Sequence, residues 1–370
     1  MRHLFLSLLL GLFCIGQAIA SSDQQIRIST NETDLILQVA PNGRLYQSYL
    51  GSKLRHQADL THLAWNVHSS TDGSVTTRGW EVYPASGMED YFEPAFAIQH
   101  NDGNMTSLFT FVSSETRVID ANASETIIQL KDEVYPVEAK LHYISYAKEN
   151  VIKAWTELRH TEKRPVTISR YASNMLYFAR DKYVLTEFSG DWAKEVQMSS
   201  QELHYGKKIL DTKLGSRAAM HVSPFFELGL GAPVQENEGE VLLGTIGWTG
   251  NFRFTFEVDN AGNLRVISGI NPYASAYELK PGEWFVTPEF IFTLSNQGAG
   301  KASRSFHDWA RNYQVKAGKA DRMTLLNNWE NTSFNFTEKQ LENLMKEAKQ
   351  LGVDLFLLDD GWFANKYPRS

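Results

Sequence analysis

From about residue 24 to residue 298, apolar and polar positions alternate in short runs that predict strand after strand. Phe252, Phe254, Phe256 and Val258 alternate with Arg253, Thr255 and Glu257, the period-two signature of a half-buried strand. Ile152, Ala154, Thr156 and Leu158 form one face of another. Turn residues punctuate the runs at Pro41-Asn42-Gly43, Asp72-Gly73, Asn101-Asp102-Gly103 and Asn260-Ala261-Gly262-Asn263. No long amphipathic helix interrupts them. The region reads as one large antiparallel β-domain built from two stacked sheets.

The period then changes. Phe306, Trp309, Ala310 and Tyr313 recur at helical spacing, which predicts a helix over 302–314 leaving the sheets. The polar run Lys316-Ala317-Gly318-Lys319-Ala320-Asp321 marks a boundary, and Met323-Thr324-Leu325-Leu326 reads as a short strand ending at Asn327-Asn328-Trp329-Glu330. Thr337 stands where it can cap a helix whose apolar face is Leu341, Leu344, Met345, Ala348 and Leu351, with Gly352 at its stop. Val353 to Leu358 follows as a mostly apolar strand suited to burial on both faces. Strand, helix and strand in this order make a βαβ unit with parallel strands. Closing an eight-stranded α/β barrel takes roughly 250 residues. Residues 322–370 are therefore read as the truncated start of a (β/α)8 barrel in a chain expected to continue. Before them the expected divisions are a signal peptide (1–20), the β-domain (21–300) and a linker helix with its linker (301–321).

Charge narrows the partners. Lys and Arg number 36 against 43 Asp and Glu, with no dense basic block, so nucleic acid is not an expected partner. The N-terminus has export character: Met1-Arg2-His3, an apolar core from Leu4 to Ile15, and Ala18-Ile19-Ala20 before Ser21. That run is too short for a membrane span, so a periplasmic or secreted protein is expected. The only cysteine, Cys14, lies inside it, which leaves the mature chain without a thiol, a disulfide or a cysteine metal site. Asn31, Asn104, Asn122, Asn331 and Asn335 open glycosylation triplets, a pattern also common by chance. Nine tryptophans suit either β-sheet packing or stacking on sugar rings.

Active sites of α/β barrels gather at the carboxyl ends of the strands. Two such ends are visible, Trp329-Glu330 and Asp359-Asp360-Gly361-Trp362-Phe363, and they would share one rim. Indoles such as Trp329 and Trp362 stack on the C–H faces of a sugar, while carboxylates accept from its hydroxyls. Retaining glycosidases hold their two carboxyls about 5 Å apart across the scissile bond. Neighbours on one strand end diverge, so Asp359 and Asp360 suit clamping two hydroxyls better than acid–base work. The alternative for either acid is a helix cap after the strand. Metal binding has less support, with no His near the pair in sequence.

Leu326-Asn327-Asn328-Trp329-Glu330, then Phe334 and Phe336, then the helix, then Leu357-Leu358-Asp359-Asp360-Gly361-Trp362-Phe363 resembles the signature of family-36 glycoside hydrolases, the α-galactosidases. Asp90-Tyr91-Phe92-Glu93-Pro94 with Asp102-Gly103, Gly190-Asp191-Trp192-Ala193-Lys194-Glu195, and Ser223-Pro224-Phe225-Phe226 are similar more loosely. The resemblance implies an N-terminal β-supersandwich, a catalytic (β/α)8 barrel and a small C-terminal β-domain. It implies retaining hydrolysis of α-galactoside oligosaccharides through a covalent intermediate, with no cofactor or metal, in a dimer or tetramer. Asp359 and Asp360 would bind galactosyl hydroxyls with Trp329 nearby. Asp90 and Trp192 match loop positions that wall the site, in some members from a neighbouring subunit; a turn residue and an ordinary sheet aromatic are the alternatives. The family's nucleophile and acid/base would lie beyond Ser370, so this chain alone is expected to be inactive. An α-N-acetylgalactosaminidase or a non-catalytic carbohydrate-binding protein are the other readings.

Overall fold

Strand Val151–His160 shows why the alternation is informative: Ile152, Ala154, Thr156 and Leu158 are buried while Lys153, Trp155, Glu157 and Arg159 stay partly exposed. The computed structural model describes residues 24–63, 79–87, 92–217 and 220–363. The expected signal segment, the Asp72-Gly73 turn and Asp90 lie outside the described residues.

Val151–His160 belongs to a ten-stranded antiparallel sheet. On one side Val137–Tyr146, Ala123–Asp132 and Phe109–Val118 follow in order. On the other side Phe290–Ser295 joins it to Glu240–Ile246, Val222–Leu230, Tyr183–Ser189 and the edge strand Gln197–Glu202. Trp284–Val286 also pairs with Val151–His160, off this path. A second, six-stranded sheet runs Gly206–Asp211, Phe252–Val258, Asn263–Ile270, Val166–Ala179 and Tyr277–Leu279, with Phe96–Gln99 also paired to Val166–Ala179. Gln25–Ser29, Thr33–Val39 and Leu45–Ser52 make a third, three-stranded sheet.

The core lies between the two large sheets. Phe226 of the ten-stranded sheet meets Phe254 and Phe256 of the six-stranded sheet edge to face, with ring centroids 5.1 and 4.9 Å apart. The Gln47 side chain joins the three-stranded sheet to Tyr177, donating to its carbonyl at 2.8 Å and accepting from its N–H at 3.1 Å. The half-burial expected of Phe252–Val258 is not what the structure shows. Thr255 and Glu257, on the outward side, are buried too. A charged layer covers that side. The Arg265 guanidinium lies 3.7 Å from the Phe92 ring centroid, the Glu93 N–H donates to Glu257 at 3.0 Å, and the Glu93 carboxylate pairs with Arg170 and Lys207. Burial pushes the Glu257 carboxyl above its ordinary value, against the pull of Arg265, Lys207 and Arg170.

The helix expected over 302–314 starts earlier and runs Gly298–Trp309. Gly298, Ala299 and Gly300 donate their N–H groups to the carbonyls of Gly239, Gln235 and Glu236. A Cβ on Gly298 would stand 2.6 Å from the Gln235 and Glu236 oxygens, so only a run of small residues permits this docking. The helix packs on Glu240–Ile246 and Phe290–Ser295, and the first compact unit ends at Trp309, so the expected boundary at 300 falls inside the helix.

The second unit, from Ala310 onward, opens on a π-turn, Ala310–Gln314. Strands Leu325–Asn327 and Leu355–Leu357 pair in parallel, with Leu325 opposite Leu355 and Asn327 opposite Leu357. Helix Glu338–Gln350 lies between them in sequence. Thr337 and Gln340 form a reciprocal capping box at its start, and Gly352 turns the chain at φ +81° after its end. Its apolar face is fully buried only at Leu341 and Ala348 and partly at Leu344; Met345 and Leu351 are 43 % and 83 % exposed. Leu355 and Leu357 are also nearly half exposed, so this strand is not buried on both faces as its composition suggested. Among the described residues it has one ladder neighbour, and a two-stranded sheet is too narrow to cover more of the helix. No described helix is long and apolar enough to cross a membrane.

Candidate functional site

Parallel pairing in this register brings Asn327-Asn328-Trp329 and Asp359-Asp360 out at the same end of the second unit. Two amides tie the strand ends together. The Asn327 Nδ2 donates to Asp359 Oδ2 at 2.5 Å, while its Oδ1 accepts from the Trp329 N–H at 2.8 Å. The fully buried Asn328 accepts the Asp359 N–H on Oδ1 at 2.7 Å and donates through Nδ2 to Thr332 Oγ1 at 2.8 Å. Asp359 Oδ1 takes the Asp360 N–H at 2.8 Å. Donation from Asn327, then from the Asp360 backbone, holds the Asp359 carboxyl below the usual carboxylate range. Asp360 is exposed, and no described side chain pairs with its carboxylate. Among the described residues no helix begins at either acid.

Aromatic groups flank the doublet. Trp329 is half-buried and packs edge to face with Phe334, centroids 4.8 Å apart. Trp362 is 67 % exposed and touches Phe363. Between them Gly361 adopts φ +99°, and a Cβ there would sit 3.0 Å from the Phe336 ring and 3.3 Å from the Phe334 Cα. Gly361→Ala should therefore destabilise the second unit by roughly 1–3 kcal/mol, read as earlier loss of its helical signal on heating. An unchanged melting curve would show that this turn bears no strain.

The other nominated positions lie in the first unit. Trp192 is not in a strand: it occupies the loop between Tyr183–Ser189 and Gln197–Glu202 and is 84 % exposed. The loop is shaped by Gly190 donating to the His221 carbonyl, by Lys194 donating to the Asp191 carbonyl, and by positive φ at Ala193 and Val196. Asp90 lies outside the described residues, although Phe92 and Glu93 beside it are anchored by Arg265 and Arg170. Among the described residues no three His, Cys, Asp or Glu side chains converge to hold a metal ion. Reading the sequence missed Asn327 and Asn328 as site residues. Two amides at a strand end were the available signal, and only the parallel register shows what they face.

Residues 43–280, well over half the chain, match the glycosyl hydrolase family 36 N-terminal domain. The chain belongs to glycosyl hydrolase family 36. Residues 284–369 of this family-36 chain match the melibiase family. It is 30 % identical to the α-galactosidase AgaA of Geobacillus stearothermophilus over 93 % of its own length and 50 % of that protein's. It is also 30 % identical to the probable α-galactosidase C of Aspergillus terreus, over 82 % and 43 % of the two lengths. The crystal structure of AgaA superposes with a TM-score of 0.84 at 27 % identity, covering 92 % of this chain and 50 % of that one. A form of AgaA in complex with raffinose matches at 0.83 with the same coverage. The family-36 chain thus spans about half the length of the relatives it matches.

Proposed function

We propose that the complete gene product is an exported, retaining α-galactosidase, with residues 310–370 contributing the first strands of a (β/α)8 barrel and the β-rich unit a supersandwich. The observation that carries this reading is the rim where a clamped Asp359, an Asp360 without a side-chain partner among the described residues, and the indoles of Trp329 and Trp362 stand at two parallel strand ends. Asp359 and Asp360 accept the hydroxyls of a terminal galactosyl unit, and the indoles meet its C–H faces. By the family resemblance alone, Asp90 and Trp192 are read as loop residues that a homo-oligomer supplies to a neighbouring subunit's sugar site. The names of the relatives and the raffinose complex of AgaA support an α-galactoside oligosaccharide as substrate.

Adjacent acids cannot face each other across a glycosidic bond as a retaining pair does, at about 5 Å. The bond-breaking carboxylates are accordingly assigned to other parts of the whole protein. Turnover of p-nitrophenyl α-galactoside by the complete gene product is the test. Galactoside binding without turnover would instead favour a carbohydrate-binding protein. Residues 1–370 alone should be inactive; hydrolysis by them would overturn the division of labour given to Asp359 and Asp360.

A further inference from the structure

We propose that Asn327 is a positioning residue for the sugar clamp, fixing the direction and the charge of Asp359 through its side-chain amide, with Asn328 locking the backbone behind it. This rests on the galactoside reading above and assigns roles to two residues that the reading left without any.

The geometry separates the two acids. Asp359 is held at three points: Oδ2 by the Asn327 amide, Oδ1 by the Asp360 N–H, and its own N–H by Asn328 Oδ1. The Asn327 amide cannot rotate to present its oxygen to Asp359, because that oxygen already accepts the Trp329 N–H at 2.8 Å. Its orientation is thereby set by the backbone that also carries the indole. Asn328, fully buried, is fixed in the same way by Thr332 and by its own N–H donating to the Leu357 carbonyl at 3.3 Å. The amides therefore transmit the parallel register of the two strands to one carboxylate. A carboxylate accepting two N–H donors keeps its charge and points its remaining lone pairs in one direction. Asp360, with no described side-chain partner, lacks such a restraint. A sugar arriving at the rim meets one fixed acceptor and one adaptable one.

Asn327→Asp is the decisive variant, because it keeps the shape and removes the donor. It sets a second carboxylate against Asp359, so the Asp359 pKa rises and its charge is lost at a higher pH on acidification. In the complete gene product KM for p-nitrophenyl α-galactoside should rise roughly ten-fold, as expected for losing a hydrogen bond to a charged group. The acid limb of the kcat/KM profile should move to higher pH, and Asn327→Gln, which keeps an amide, should recover part of both changes. A purely structural role would lower the active fraction and kcat while leaving KM and the acid limb in place; that result overturns the proposal. Carbon-13 titration of the aspartate carboxyls in the unmodified protein supplies a readout independent of the variants' folding. Asp359 should titrate below the ordinary aspartate range, and titration at or above that range also overturns it. Absence of turnover by the unmodified complete gene product would sink the galactosidase reading itself, whereas an active enzyme indifferent to Asn327→Asp sinks only this inference.

Discussion

Phe226→Ala is expected to lower the unfolding free energy of the β-rich unit by about 4 kcal/mol, the range for truncating a fully buried Phe. Phe226 has no exposed surface and touches Phe254 and Phe256 across the two sheets, with Phe290 stacked 6.4 Å away. The site has little freedom to collapse into the space left. Gly244 on the neighbouring strand lies directly under the ring, where an added Cβ would come within 2.6 Å of it, so no side chain stands ready to fill the gap. Guanidinium unfolding followed by near-ultraviolet circular dichroism measures the change. Phe226→Leu should recover about half of the loss. A cost below about 1 kcal/mol for the alanine variant would mean that the two sheets do not depend on this contact.

Asp360→Asn is expected to lower kcat/KM of the complete gene product by roughly 100-fold with little change in stability. The amide keeps the shape but presents a donor where the clamp needs an acceptor for sugar hydroxyls. Two hydrogen bonds to a charged group, at about 1.5 kcal/mol each or more, account for that factor. The side chain is exposed and unpaired among the described residues, so the fold does not rely on it. Inhibition by free galactose should weaken in parallel, since product and substrate present the same hydroxyls. If kcat/KM stays within about threefold of the unmodified enzyme, the rim is not where the sugar binds.

What the sequence disclosed was decided by distance along the chain. The alternation in Val151–His160 is local, and its buried face was identified residue by residue. Thr337 and Gly352 were recognised as helix ends for the same reason, because capping depends on residues three or four places away. The burial of Thr255 and Glu257 was not legible, since the covering groups come from Phe92, Glu93, Arg170 and Lys207, far off in the chain. The exposure of Leu351 and Met345 likewise follows from how wide a sheet the helix meets, which helical periodicity does not encode. At the rim, Asp359 and Asp360 stood out as an acid pair after an apolar strand. The unlike surroundings of the two acids emerged only with the register that sets Asn327 and Asn328 beside them.

The placement of Phe290–Ser295 bears on how the chain acquires its shape. This strand is the seam between Val151–His160 and Glu240–Ile246, whose nearest ends are 80 residues apart in sequence. Up to that point synthesis yields two separate antiparallel ribbons: one, Phe109–Val118 to Val151–His160, is made of successive hairpins, while in the other Tyr183–Ser189 pairs with Val222–Leu230 across an intervening stretch that holds two further strands. Their union must wait until residue 295 has left the ribosome, when a late segment inserts between two waiting edges. Such long-range closure is slow, and the unsatisfied edges are exposed meanwhile to mispairing. Holding the nascent chain by a chaperone until the seam is in place should therefore raise the yield of the β-rich unit far more than any aid given to the hairpins.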